Sequence, residues 1–127
     1  MIHVVIADDD EVMRDLVERI VTLLGWTFDT AVNGIQAQEM VDRLVPDLVI
    51  ADVGMSGMDG IDLLHAIKGN SRLSQIPVVM MSSMNRESEA REGGAAAFIP
   101  KPFTMEVMVQ ILAQLAPANT KDSPSPQ

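Results

Sequence analysis

The feature that most constrains the fold is a short apolar run ending in an aspartate, within the segment PDLVIADVGMSGMDG at residues 46–60. The four apolar residues 48–51 are too few for a helix of useful length, and Pro46 and Gly54 bracket them. Such a run is typical of a strand buried on both faces of a parallel sheet. Asp52 then lies at the carboxyl end of that strand, the edge at which open parallel sheets bind ligands. A lone aspartate there is more often a turn cap than a functional group, so its interpretation depends on what else reaches this edge.

Strand-like and helix-like patterns alternate five times along the chain. Strands are predicted at 2–7, 26–31, 48–51, 76–81 and 96–99. Helices are predicted over 13–24, after the cap Asn33, over 61–67, over 85–92 and after the cap Thr104. This alternation predicts an α/β fold, a doubly wound (βα)5 domain with a five-stranded parallel sheet between two helical layers.

The domain is predicted to span residues 1–116. From residue 117 the sequence changes to PANTKDSPSPQ, which offers no large apolar side chain. A segment of this composition cannot bury enough surface to fold, so we expect residues 117–127 to form a disordered tail.

Charge and cysteine content exclude several classes of function. Eighteen acidic and nine basic residues give a net charge of −9, so we expect no direct binding to nucleic acid or to a membrane. The sequence contains no cysteine, which excludes disulfides, thiolate zinc sites and a thiol nucleophile. No apolar run approaches the ~20 residues that span a bilayer, and the amino terminus lacks the pattern of a signal peptide. We therefore expect a cytoplasmic protein.

Four of the predicted strands bring polar side chains to one edge of the sheet. These residues are Asp8, Asp9, Asp52, Ser82 and Lys101. Three carboxylates in one place repel one another and require a cation, a shared proton or a lysine. Oxygen ligands without histidine or cysteine suit Mg²⁺. A carboxylate nucleophile, a magnesium ion, a hydroxyl group and an ammonium group are the parts that phosphoryl transfer onto an aspartate requires.

Residues 1–116 resemble the receiver domain of bacterial two-component response regulators, of the chemotaxis-protein-like type. The motifs that carry the resemblance are the apolar strand before Asp8-Asp9, DLVIAD ending at Asp52, GMDG at 57–60, PVVMMS ending at Ser82, and KPF at 101–103. The resemblance implies a flavodoxin-like fold with strand order 2-1-3-4-5. It also implies a cis peptide bond between Lys101 and Pro102.

The resemblance further implies a role for each residue at the edge. Asp52 would be the phosphoacceptor, modified to 4-aspartylphosphate. Asp8 and Asp9 would hold Mg²⁺ together with Asp52 and the carbonyl group of Gly54.

By the same resemblance, Ser82 would bind a phosphoryl oxygen and Lys101 would pair with the phosphate. Phe98 falls at the position of the family's switch aromatic residue. The phosphoryl donor would be a sensor histidine kinase or a phosphotransfer protein, and an unknown downstream protein would bind the changed surface. The domain would be a signalling switch rather than a turnover enzyme, and a monomer or weak homodimer.

The sequence departs from the family pattern at several positions. Ser56 stands where receivers usually carry proline, and Gly54 and Met84 occupy the two positions that tune loss of the phosphoryl group. We expect Met84 to hinder an attacking water, while Gly54 neither positions nor blocks it. The segment from 82 to 101 is about one helical turn shorter than usual, so the fourth helix and its partner surface are expected to be altered.

Two other functions remain open from the sequence. Asp8, Asp10 and Val12 fit the DxDx[TV] motif of haloacid-dehalogenase-like phosphatases, although too few acidic residues follow in the chain to supply that family's second acidic pair. A receiver-like interaction module that no longer depends on phosphorylation would be consistent with Ser56 and the shortened helix.

Overall fold

The computed structural model of the protein describes residues 1–116, and the predicted tail at 117–127 lies outside the described residues. Five strands and five helices alternate, as predicted. The strands are β1 His3–Ala7, β2 Thr27–Ala31, β3 Leu48–Asp52, β4 Val78–Ser82 and β5 Ala97–Pro100. The helices are α1 Glu11–Leu23, α2 Gly34–Leu44, α3 Gly60–Lys68, α4 Glu87–Glu92 and α5 Met105–Leu115. No helix within residues 1–116 has the length and apolarity of a membrane span.

All strand pairs are parallel, and the sheet order is β2-β1-β3-β4-β5. This order confirms the predicted doubly wound, flavodoxin-like architecture. Two apolar clusters cover the two faces of the sheet. Val4 and Ile6 of β1 point to the cluster with α1 and α5, whereas Val5 and Ala7 point to the cluster with α2, α3 and α4. Burial on both faces explains why the central strands are continuous apolar runs.

Prolines set two of the strand boundaries. β4 begins at Val78 rather than at residue 76, because Pro77 has no N–H to donate to the ladder. β5 is an edge strand and ends at Pro100, a position at which a missing donor is tolerated. The fourth helix begins at Glu87 rather than at residue 85, and Ala90 is its one buried residue.

Polar caps begin four of the five helices that follow the strands, and α4 is the exception. The side chains of Asp10, Asn33, Asp59 and Thr104 each accept a hydrogen bond from a backbone N–H two or three residues further on. These bonds satisfy donors that a helix start leaves unpaired. The loops before α1, α2, α3 and α5 are therefore anchored at their helical ends.

Candidate functional site at the carboxyl edge of the sheet

Three carboxylates converge where β1 and β3 end. Asp8, Asp9 and Asp52 each place one carboxylate oxygen within 4.8 Å of the others. The convergence follows from the topology, because β1 and β3 are neighbours and Ala7 pairs with Ala51 one residue before the acids begin. Asp8 is fully buried and Asp52 is 7% exposed, whereas Asp9 lies in the exposed class. Two acids therefore line the inside of the site and the third lies at its mouth.

Lys101 reaches into this acidic group from the end of β5. Its Nζ lies 2.6 Å from Asp52 Oδ1 and 3.4 Å from Asp8 Oδ2. The backbone N–H of Lys101 donates to the carbonyl oxygen of Ser82 at 2.8 Å, which holds the lysine against the end of β4. The peptide bond from Lys101 to Pro102 is cis, as the family resemblance implied.

Burial and charge shift the ionisation of two of these groups. Burial raises the pKa of Asp8 and the charge of Asp52 adds to the rise, although the Asp10 N–H and Lys101 oppose it. Burial alone would lower the pKa of Lys101, but the hydrogen bond to Asp52 and the charges of both buried acids outweigh it and raise that pKa. The lysine therefore stays protonated at neutral pH. One ammonium group does not balance three carboxylates, and a cation would relieve the remaining repulsion.

The donors at this site fit a hard divalent cation. The group contains carboxylate oxygens and neither histidine nor cysteine, which favours Mg²⁺ over a transition metal. Gly54, whose carbonyl is the fourth predicted metal ligand, lies beside the same site. Its backbone N–H donates a hydrogen bond to Asp52 Oδ2 at 3.0 Å. The residues present therefore suit the ion that the sequence predicted.

Ser82 is the last residue of β4, one position beyond the pair formed by Asp52 and Met81. The residue is 2% exposed, and its Oγ accepts a hydrogen bond from the Met84 N–H at 2.9 Å. Phe98 lies deeper, in register with Met80, and is buried in the cluster beneath α2, α3 and α4. The structure thus places the serine at the edge and the aromatic ring in the core.

The structure also shows two supporting residues that the sequence did not indicate. Arg14 of α1 donates from Nη1 to the backbone oxygen of Asp8 at 2.9 Å, which anchors the loop that carries two of the acids. A Cβ added to Gly60 would lie 2.4 Å from the backbone oxygen of Asp52, so the start of α3 packs directly on the end of β3. The sequence pattern of an amphipathic helix does not predict which backbone group an arginine such as Arg14 will contact. Gly60 was noted only as the last residue of the GMDG motif, which does not predict its close approach to Asp52.

The family model described as the response regulator receiver domain matches residues 4–113. The chain belongs to this family. It is 32% identical over 129 aligned residues to the two-component response regulator ARR17 of Arabidopsis thaliana. The alignment covers 90% of this chain and 84% of ARR17. The chain is 30% identical over 112 residues to the DNA-binding dual master transcriptional regulator RpaA of Synechocystis sp., covering 86% of this chain and 46% of RpaA.

Solved structures agree with this family. The chemotaxis response regulator CheY4 of Vibrio cholerae is 25% identical with a TM-score of 0.85, over 91% of this chain and 98% of that one. The signal receiver domain of a histidine kinase from Syntrophus aciditrophicus is 27% identical with a TM-score of 0.84, over 100% of this chain and 96% of that one. The chain spans about half the length of RpaA and of the response regulator MprA of Mycobacterium sp..

Proposed function

We propose that this receiver domain is a phospho-accepting signalling switch, in which Asp52 accepts a phosphoryl group from a sensor histidine kinase or a phosphotransfer protein. The observation that carries the proposal is the ammonium group of Lys101, 2.6 Å from Asp52 Oδ1 and inside a group of three carboxylates. Such a site combines a nucleophile with fixed positive charge and a place for a divalent ion. Membership of the receiver family supports the same class of function.

The transfer is a displacement at phosphorus. A carboxylate oxygen of Asp52 forms the new O–P bond while the N–P bond of the donor phosphohistidine breaks, and the bonding electron pair stays on the donor nitrogen. Lys101 pairs with the phosphoryl group as its charge moves onto the acceptor. Asp8, Asp9 and Asp52 would hold Mg²⁺ with the Gly54 carbonyl, and the bound ion would neutralise charge on the phosphoryl oxygens.

The switch follows from the groups beside the acceptor. The hydroxyl of Ser82, now an acceptor for the Met84 N–H, donates to a phosphoryl oxygen. Phe98 repacks in response and changes a surface that a downstream protein binds. The adduct on Asp52 is itself the signal and is lost slowly, so the domain is not a turnover enzyme.

The expected partners are proteins. The protein has a net charge of −9, which repels nucleic acid and anionic membrane surfaces. We therefore place neither among the partners. A cytoplasmic location and a monomer or weak homodimer are consistent with this proposal.

Incubation with acetyl phosphate and Mg²⁺, followed by intact mass measurement, tests the proposal. We expect one phosphoryl adduct on the wild type, and none on Asp52→Asn or in the presence of a chelator. Asp10→Asn is the matched control, because Asp10 is a neighbouring acid whose side chain caps α1 and Asn caps equally well. An adduct that persists in Asp52→Asn would contradict the assignment of the acceptor.

The alternative is an interaction module that no longer depends on phosphorylation. The observation that favours it is the short fourth helix, which has six residues. A folded wild-type protein that binds Mg²⁺ but forms no adduct would support this alternative. We do not propose the hydrolase, because Asp10 accepts a hydrogen bond from the Val12 N–H and is not among the three grouped acids.

A further inference from the structure

The methionines around the acceptor differ in their access to solvent. Met80 and Met81 of β4 are fully buried and Met55 is 6% exposed, whereas Met84 is 51% exposed. A thioether in contact with solvent is open to oxidation, while a buried one is shielded by its neighbours. Met84 is therefore the methionine of this group that solvent reaches most readily.

Met84 also borders the space beside the acceptor carboxylate. A Cβ added to Gly54 would lie 3.6 Å from Asp52 Oδ2 and 4.0 Å from the terminal methyl group of Met84. The methyl group and the carboxylate thus flank one small space that the glycine leaves unfilled. Because the Met84 N–H is bonded to Ser82 Oγ, the backbone of this methionine is held next to the site.

We propose that Met84 is an oxidation site, and that its conversion to the sulfoxide by hydrogen peroxide shortens the lifetime of the phosphoryl group on Asp52. In the oxidation step the sulfur supplies an electron pair, an S–O bond forms, the O–O bond of the peroxide breaks, and water leaves. The lifetime effect rests on the proposed function, whereas the oxidation itself does not.

The direction of the effect follows from polarity. The thioether presents an apolar surface to the space beside Asp52, and water gains little by entering it. A sulfoxide oxygen is polar and accepts hydrogen bonds, so it holds water in that space. Hydrolysis of the aspartyl phosphate needs a water molecule close to the phosphorus, and the oxidised protein therefore loses its phosphoryl group faster.

Peptide mass mapping after limited peroxide treatment tests the site. We expect an added oxygen on Met84 well before Met80 or Met81, with Met105 at 38% exposure as an internal reference for an ordinary surface methionine. Oxidation of the two buried methionines ahead of Met84 would overturn the proposal.

The decay of the adduct after removal of acetyl phosphate tests the consequence. We expect peroxide to shorten the half-life of the wild-type adduct by roughly threefold or more, and methionine sulfoxide reductase to restore it. Met84→Leu keeps an apolar side chain and should not respond to peroxide, whereas Met105→Leu should respond as the wild type does. Met84→Gln carries a polar group and should decay quickly without peroxide.

The outcomes separate this inference from the proposed function. Equal half-lives of oxidised and untreated protein, with Met84 shown to be oxidised, would refute the lifetime effect and leave the proposed function standing. Failure of the untreated protein to form an adduct would contradict the proposed function and the lifetime effect together, and the peptide map would still decide whether Met84 is the oxidation site.

Discussion

Asp8 is a fully buried carboxylate that faces both a negative and a positive neighbour, Asp52 and Lys101. Burial raises its pKa, so in the absence of a metal its charged form is less favourable in the folded protein than in the unfolded chain. Between the ordinary pKa and the raised pKa, the folded state binds more protons than the unfolded state. Stability therefore decreases as pH rises through this window, and above the raised pKa the protein carries the full cost of the charge.

We expect Asp8→Asn to raise the thermal midpoint of the metal-free protein by a few degrees at pH values above the raised pKa of Asp8, because the variant removes the buried charge. The difference from the wild type should shrink as pH falls through the raised pKa of Asp8, since the wild-type side chain then becomes neutral too. Thermal unfolding in a chelator at several pH values measures this. Asp10→Asn is the control, because Asp10 is an exposed acid close to Asp8 in the sequence. An equal rise in the thermal midpoint of Asp10→Asn would show that the effect is only a reduction in net charge.

Gly54 lies beside Asp52, the proposed phosphoacceptor, in a backbone conformation outside the left-handed region. An added Cβ would make ordinary contacts, 3.6 Å from Asp52 Oδ2 and 4.0 Å from the terminal methyl group of Met84. We expect Gly54→Ala to fold normally and to lengthen the half-life of the phosphoryl adduct by roughly threefold or more, or about 0.6 kcal/mol in the barrier. The reason is that the methyl group fills space through which water approaches. Ser56→Ala, an exposed change in the same loop, is the control. A half-life that is unchanged or shorter in Gly54→Ala would show that water does not enter on this side.

Among the secondary-structure elements, α2 ends in an unusual way. The residue that follows the helix, Val45, has φ 45° and ψ 66°. Among residues 1–116 it is the one residue other than glycine with a positive φ. The left-handed conformation brings Cβ close to the following carbonyl oxygen, and a β-branched residue tolerates it poorly. Pro46 follows directly and disfavours α conformations at the preceding residue.

We expect Val45→Asn to increase the free energy of unfolding by about 1 kcal/mol, because asparagine adopts the left-handed conformation at lower cost. Chemical denaturation measures the change. Val32→Asn is the matched control, since Val32 has nearly the same exposure, 44% against 42%, without a positive φ. If the two variants differ by less than their experimental error, the strain at Val45 does not limit stability.

The elements themselves were largely predictable because their signals are local. A buried strand such as β3 is a continuous apolar run, and caps such as Asn33 and Thr104 lie within three residues of the N–H that they accept from. The errors fell at boundaries where the decisive contact is not visible in the local pattern. β4 begins after Pro77 because that residue has no N–H to donate, and α4 begins without a side-chain cap.

At the scale of the whole molecule, the predicted site follows from parallel topology, because every strand ends on the same edge. Asp8 and Asp52 meet since β1 and β3 are neighbours, and Lys101 arrives from an edge strand through its bond to Ser82. Contacts that depend on how loops pack were not predictable. Gly34 is an example, because an added Cβ would lie 2.1 Å from the backbone oxygen of Met58, a contact between the first residue of α2 and the loop before α3.

A divalent cation can act on this protein in two ways, by binding at the three grouped acids or by screening the net negative charge of the whole molecule. The two effects can be separated in a test of metal binding on the folded protein. An ion that binds only the native state stabilises it by RT ln(1 + [L]/Kd), or about 1.4 kcal/mol at ten times Kd. Because the protein has a net charge of −9, any added salt also stabilises it by screening the repulsion among its own charges. The specific effect of Mg²⁺ is therefore the increment over NaCl at equal ionic strength.

We expect Mg²⁺ to raise the thermal midpoint of the wild type above that in NaCl, and we expect most of this increment to be lost in Asp9→Asn. Asp9 is an exposed member of the acidic group, so its substitution removes a donor without opening the core. Asp15→Asn on the exposed face of α1 removes the same charge outside the group and should keep the increment. Equal increments in all three proteins would mean that the ion acts by screening alone, and the three converging acids would then have to be explained without a bound metal.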